Sequence, residues 1–181
     1  KTDEFADLYA EELKAEGGVI SGEQFVDECQ VESDLELLLP ATYVTGSSER
    51  MLLYRELDSL TLDKDVEAFR NRLIDRFGPV PSETEELLRI VPLRRLAARL
   101  GAEKVFLKGG RMSLFFISNP ESPYYQSQAF GKVIAYMMKY TRRCDLREQN
   151  TRRSMLVKDV KNVETAVGVL QEIVAMQVEE G

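Results

Sequence analysis

The run RLIDRFGPVPSETEELL, Arg72–Leu88, fixes where two helices must meet. Apolar residues recur at helical spacing as far as Phe77. Gly78 then offers a residue free to take positive φ at a helix end, and Pro79 forbids continuation because it lacks an N–H. Ser82 is the expected N-cap of the next helix, with Glu85 placed to reach back to its backbone N–H. The passage is helix, turn, helix, and it carries no group of catalytic type.

The flanking segments arrange themselves around that passage. Glu4–Ala15 has helical spacing through Phe5, Leu8, Tyr9 and Leu13, and Gly17-Gly18 with Ser21-Gly22 makes a joint after it. Residues 1–22 therefore read as a helical tail and linker, continuing from a preceding domain, and residues 23–181 as the domain proper. Phe25–Leu39 reads as extended chain: Val31, Ser33, Leu35, Leu37 and Leu39 alternate with Glu32, Asp34, Glu36 and Leu38. After Pro40, Ser47 or Ser48 should cap a helix through Met51, Leu52, Tyr54, Arg55 and Leu57. Asp63 should cap the next, whose stripe is Val66, Phe69, Leu73 and Phe77. The helix from Ser82 runs to Leu100 and stops at Gly101, with Pro92 expected to kink or interrupt it.

Beyond Gly101 the period changes. Glu103–Leu107 and Arg111–Ile117 are β-rich runs joined by Lys108-Gly109-Gly110, a hairpin signal. Tyr125–Tyr140 returns to helix, with Phe130, Val133, Ile134, Met137 and Met138 as its apolar face. Arg142–Glu148 and Arg152–Val157 form a second hairpin across Gln149-Asn150, and Asn162 caps a last helix that ends near Gln177. Helices and strands come in blocks, not in strict alternation. The fold class is α+β: a small antiparallel or mixed sheet, from the early strand and two hairpins, with helices packed on it.

Composition excludes several kinds of chemistry. Histidine is absent, which removes the commonest general base, the commonest zinc ligand and every His-dependent triad. Cys29 and Cys144 lie far apart with no metal-ligand spacing, as expected of reduced thiols in a cytoplasmic chain. No run is long and apolar enough for a membrane span, and no signal-peptide pattern opens the chain. Lys108-Gly109-Gly110 matches no phosphate loop and precedes a strand, so no nucleotide site is encoded. No cofactor or metal is expected. Glu32, Asp34 and Glu36 read as the solvated face of an edge strand, and Met112, Met137, Met138, Met155 and Met176 as core filling.

Charge is unevenly spread. Residues 1–40 hold 12 acids and 2 bases, whereas residues 41–181 hold 19 acids and 22 bases. The acidity thus belongs to the leading segment. Bases gather in the second hairpin, where Arg143, Arg147 and Arg153 are candidate nucleic-acid contacts with Tyr136 and Tyr140 just upstream. Asp145, Glu148 and Asp159 are interleaved, so cross-strand ion pairs and an interdomain surface compete with that reading. On the helix ending at Phe77, Arg72, Asp75 and Arg76 fall on the half opposite the apolar stripe, spaced for local ion pairs.

The ordered set VESDLELLLPATYV (Val31–Val44), SERMLLYREL (Ser48–Leu57), LIDRFG (Leu73–Gly78) and LLRIVPLRRLAARLGAEKV (Leu87–Val105) resembles the C-terminal domain of bacterial transcription-repair coupling factors (Mfd). Pro92 departs from the helical residue usual there. That family consists of ATP-driven DNA translocases that displace stalled RNA polymerase and recruit excision repair through UvrA. Their ATPase motifs lie in other domains. The resemblance implies a non-catalytic regulatory domain that docks on the N-terminal UvrB-like module of the same protein. Docked there, it masks the UvrA-binding surface and restrains the motor. It carries the docking contacts over to Asp75 and Arg76; Arg72 stands where a relative has Glu, so its contact is reversed in sign or lost. An accessory nucleic-acid-binding module using the Arg142–Arg153 hairpin is the alternative.

Overall fold

The computed structural model describes residues 25–178. The expected helix at Glu4–Ala15, the glycine joint and the boundary at residue 22 lie outside them. Five helices and a five-stranded mixed sheet make up the described domain. In chain order these are β1 (Gln30–Ser33), α1 (Ser47–Ser59), α2 (Asp63–Phe77), α3 (Ser82–Arg99), β2 (Ala102–Lys108) and β3 (Arg111–Phe116). A 3₁₀ turn (Pro123–Gln126), α4 (Gln128–Lys139), β4 (Cys144–Gln149), β5 (Arg152–Val157) and α5 (Val163–Val174) complete it.

The sheet order is β1-β2-β3-β5-β4. The short β1 runs parallel to β2, Val31 facing Val105, and every other pair is antiparallel. The two hairpins thus sit side by side. Each closes on two residues of positive φ, Gly109-Gly110 in the first and Asn150-Thr151 in the second. Such turns match the right-handed twist of the strands they join. The second turn falls one residue later than Gln149-Asn150, because Asn150 tolerates the left-handed region and Gln149 remains paired with Arg152.

The extended run Phe25–Leu39 is mostly not strand. Its ladder ends at Ser33, whose hydroxyl accepts a bond from the Leu35 amide at 3.0 Å and bends the chain away. Alternating burial continues to Leu39 regardless, since the segment still lies along the domain with one side inward.

Three expected N-caps are corrected by one residue. Ser47, Asp63 and Ser82 are the first helical residues, and Gly46, Leu62 and Pro81 hold the extended cap positions without side-chain bonds. Ser48 is also inside α1. Ion pairs explain two of the shifts: Arg95 holds the Asp63 carboxylate at 2.9 and 3.1 Å, and Arg70 holds Glu85 at 2.8 Å. Each carboxylate is thus engaged by a guanidinium and makes no bond to a backbone amide. Asn162 does cap α5, accepting from the Thr165 amide at 2.7 Å. Helix α4 is shorter than Tyr125–Tyr140, because the separate 3₁₀ turn takes Tyr125 and Gln126 and Ser127 then caps α4. Its inward residues are Val133 and Tyr136, while Met138 is exposed.

Helix α3 joins two cores. Leu93, Leu96, Ala97 and Leu100 pack with the sheet and with α4 and α5. Leu88 and Val91 pack instead with Leu57 of α1 and with Phe69 and Leu73 of α2. Pro92 lies between the two sets, inside a helix that continues unbroken. At its end Gly101 takes φ +86°, and the fully buried Tyr124 ring lies directly against it. The Tyr124 hydroxyl donates to the Leu100 carbonyl at 2.5 Å.

Candidate functional site

The α2–α3 boundary is held by the preceding extended segment. Tyr43 donates its hydroxyl to the Gly78 carbonyl at 2.8 Å, with the Leu73 carbonyl at 3.2 Å. Thr84, fully buried at the start of α3, donates to the Leu38 carbonyl at 2.8 Å. Gly78 sits at φ +90° and ψ −165°, a region essentially restricted to glycine. Two sequence blocks thirty residues apart therefore form one structural unit, which fixes the direction in which α2 presents its outer half.

Helix α2 buries Phe69 and Leu73 and half-buries Val66 and Phe77, so Arg72, Asp75 and Arg76 are exposed. Their partners are not one another. Arg72 pairs with Glu56 and Arg76 with Glu49, both on α1. As α2 advances from 72 to 76, its partners on α1 recede from 56 to 49, so the helices run antiparallel with two ionic rungs between them. Each guanidinium also lies over a ring of its own helix, Arg72 5.4 Å from Phe69 and Arg76 4.8 Å from Phe77. More than a third of each of these side chains stays exposed, so each rung contributes ~0–1 kcal/mol. Asp75 has no hydrogen bond or ion pair to another described residue.

Leu52 completes the surface. It follows Glu49 by three residues and precedes Glu56 by four, so it stands between the two rungs on α1. It is 63% exposed, and its neighbour Met51 is 57% exposed. An apolar side chain flanked by paired charges has the layout of a docking anchor with a polar rim, and Asp75 adds an uncompensated carboxylate on the neighbouring helix. The helical pattern of α1 alone does not separate Met51 and Leu52 from its buried Leu57; the pairing of Glu49 and Glu56 with α2 does.

The basic hairpin is organised differently. Arg143 donates from Nε to the Lys158 carbonyl at 2.9 Å and from its terminal nitrogen to the Asp159 carbonyl at 3.1 Å, tying the entry of β4 to the exit of β5. Arg153 lies on the helix-covered side of the sheet, its Cζ 4.3 Å from the Tyr125 ring centroid. Arg147 points to the other side, 61% exposed and 3.9 Å from Asp145. The three guanidiniums do not share one face, and Tyr136 is buried in the core. The acidic run has structural tasks: Asp34 accepts from the Gly109 amide at 2.9 Å, and Glu32 lies 3.8 Å from Lys108. Among the described residues no group of three or more Cys, Asp or Glu side chains is placed to hold a metal ion. No described helix is long and apolar enough to cross a membrane.

Residues 33–127, more than half of the chain, match the family model of the TRCF domain. The chain belongs to the TRCF domain family. The transcription-repair-coupling factor of Rickettsia bellii is 29% identical to it over 150 residues, and that of Rickettsia typhi 26% over 149, each alignment spanning 80% of this chain. The Staphylococcus haemolyticus protein of the same name is 24% identical over 146 residues, 77% of this chain. The chain spans 12–13% of the length of these relatives. A crystal structure of the C-terminal domain of transcription-repair coupling factor superposes with a TM-score of 0.62, covering 81% of this chain and 93% of that one at 17% identity. The α+β fold described above is therefore that of the TRCF C-terminal domain. The α1–α2 surface and Pro92 lie within the family-matched residues, whereas α4 and the second hairpin lie beyond them.

Proposed function

We propose that this TRCF domain is a non-catalytic regulatory domain that docks through the outer face of α1 and α2 on the N-terminal UvrB-like module of its parent protein. Docked, it masks the UvrA-binding surface and restrains the ATP-driven DNA translocase until RNA polymerase is engaged. The observation that carries this reading is the exposed Leu52, flanked by the Arg72–Glu56 and Arg76–Glu49 rungs and accompanied by the unpaired Asp75. A small anchor with a charged rim suits reversible contact between domains, because little apolar area must be re-exposed on release.

The geometry divides the labour within the site. Arg72 and Arg76 are engaged with α1, so their first effect is to orient the two helices. Asp75 and Leu52 are free to meet a partner. In the full-length protein, Asp75→Ala/Leu52→Asp is expected to raise both UvrA affinity and basal ATPase rate while the domain stays folded. Arg76→Ala is expected to act more weakly. Unchanged UvrA binding and ATPase in the double variant would refute the docking reading. Salt-sensitive retardation of DNA by the isolated domain, abolished by Arg147→Glu, would favour the nucleic-acid alternative instead.

A further inference from the structure

Helices α3, α4 and α5 cover one face of the sheet, the face of Val105, Leu107, Met112, Leu114, Met155 and Val157. The other face carries a separate apolar strip. Strand register places Phe106, Phe115 and Leu156 there, and none of the three belongs to either core. Phe106 and Phe115 are half-buried and meet edge to face at 5.2 Å. Ser113 pairs with Phe106 and Leu156, and Ser154 with Phe115. Neither hydroxyl has a hydrogen-bond partner among the described residues. Two residues along the strands from Phe106 and Ser113, Lys108 and Arg111 face each other at the β2–β3 turn. Lys158 stands at the exit of β5, its amide donating to the Arg143 carbonyl at 2.9 Å, and the Lys161 stem lies 3.9 Å from a Cβ built on Gly110. Lys108 has Glu32 at 3.8 Å, and Asp34 accepts from the Gly109 amide. Arg111, Lys158 and Lys161 are exposed and pair with no carboxylate among the described residues. Arg142 and Arg143 precede β4 at the same end, so six cations stand there against Glu32, Asp34 and Asp159, in a chain whose net charge is −7.

We propose that this face binds single-stranded nucleic acid, with bases laid on Phe106 and Phe115 and phosphates held by Lys108, Arg111 and Lys158. The surface calls for one ligand that carries both a row of negative charge and flat apolar rings. Neighbouring cations without carboxylates attract a polyanion, whose binding releases its condensed counterions. Half-exposed rings on the inner strands of an uncovered sheet are a platform for unstacked bases. The spacing agrees. Lys108 and Arg111 stand two residues, ~7 Å, from the row of Phe106, within reach of the phosphate of a nucleotide whose base lies on that ring. Lys108 is 5.2 Å from the Phe106 centroid and Arg152 5.6 Å from that of Phe115, so a base on either ring has a cation beside it. A duplex hides its base faces and would leave the rings unused, which selects the single strand. The site takes neither Arg147 nor Arg153, so it is not the hairpin site of the alternative reading. It uses no residue of α1 or α2, so it stands or falls independently of docking through Leu52 and Asp75.

Fluorescence anisotropy of a labelled oligothymidylate, titrated with the 181-residue chain at several salt concentrations, tests it. Arg111→Glu and Lys158→Glu should each reduce the slope of log affinity against log salt by at least ~0.7, the contribution of one phosphate contact on a single strand. Phe115→Leu keeps an apolar side chain on the face but removes the ring. It should weaken binding about 5- to 150-fold and leave the salt slope unchanged. Arg111 and Lys158 are exposed, so their variants carry the test even where Phe115→Leu unfolds the domain. Absence of saturable binding at low salt overturns the proposal. Loss of binding in Arg147→Glu with Arg111→Glu unaffected would assign the strand to the hairpin and overturn it. Equal displacement by polyglutamate, with Phe115→Leu binding as tightly as the parent chain, would assign the face to an acidic protein segment. Tighter binding of duplex than of single strand would leave the rings without a role. Either of these last two results overturns the proposal as well.

Discussion

Replacing Gly101 by alanine tests the described glycine with the least room for a side chain. A Cβ built on Gly101 falls 2.1 Å from Tyr124 Cε1, 2.4 Å from Cζ and 2.8 Å from Cδ1. The ring cannot swing aside easily. It is fully buried, with Tyr125 at 5.0 Å, Phe130 at 5.4 Å and Phe25 at 5.5 Å between centroids. Gly78→Ala provides the internal control, because Gly78 also has positive φ but its added Cβ meets nothing within 4 Å. Gly78→Ala thus isolates the backbone cost, about 1–3 kcal/mol. Gly101→Ala adds overpacking of a filled core, a further ~1–3 kcal/mol, for a total of about 2–6 kcal/mol. At ~3 °C per kcal/mol for a domain of this size, the expected fall in Tm is roughly 3–9 °C for Gly78→Ala and roughly 6–18 °C for Gly101→Ala, the second always the larger. Thermal and urea unfolding of the two variants, with the denaturant slope checked for constancy, measures both. Equal losses in the two variants would refute the reasoning, since they would mean that the Tyr124 ring gives way at no cost.

Two further predictions concern other parts of the fold. Glu86, from α3, accepts from the Val163 and Glu164 amides at 2.6 and 3.1 Å and so caps the start of α5 from a distant helix. Glu86→Ala should cost ~1–2 kcal/mol and speed amide exchange at those two residues, whereas Glu86→Gln should cost less; unchanged exchange in Glu86→Ala would refute the cap. Burial pushes the Cys29 thiol from 9.0 up to about 12. The folded state therefore keeps that proton where the unfolded chain has lost it, so this contribution to stability is intact below pH ~9 and declines as the pH rises toward about 12. Unfolding midpoints at pH 8, 9.5 and 10.5 should fall less steeply in Cys29→Ala, and an identical slope would contradict the assignment.

Sequence made the segment order legible, and physical competition explains the departures. Gly78 and Gly101 were readable because only one residue type suits those backbone angles. The caps at Ser82 and Asp63 were not, because Arg70 and Arg95, remote in sequence, draw away the carboxylates that local rules reserve for backbone amides. The Phe25–Leu39 alternation reported burial correctly and hydrogen bonding incorrectly, since one-sided contact needs no ladder. In the candidate site, Arg72, Asp75 and Arg76 were correctly placed outward. Their pairing with Glu49 and Glu56 depends on the antiparallel approach of α1, which no local pattern encodes. Leu52 became visible only when those pairs framed it.

Pro92 gives the domain an unusual mechanical layout. The bond it cannot donate to the Leu88 carbonyl is missing at the one turn where α3 passes from the helical core to the sheet core. The two halves are thus joined by a continuous rod with one softened turn, braced by the segment between Ser33 and Ser47 and by the Arg94–Asp58 and Arg95–Asp63 pairs that span the proline. A pull on the outer face of α1 and α2 will be felt in the sheet as a bending torque concentrated there, and a stiffer residue at that turn would transmit it undiminished.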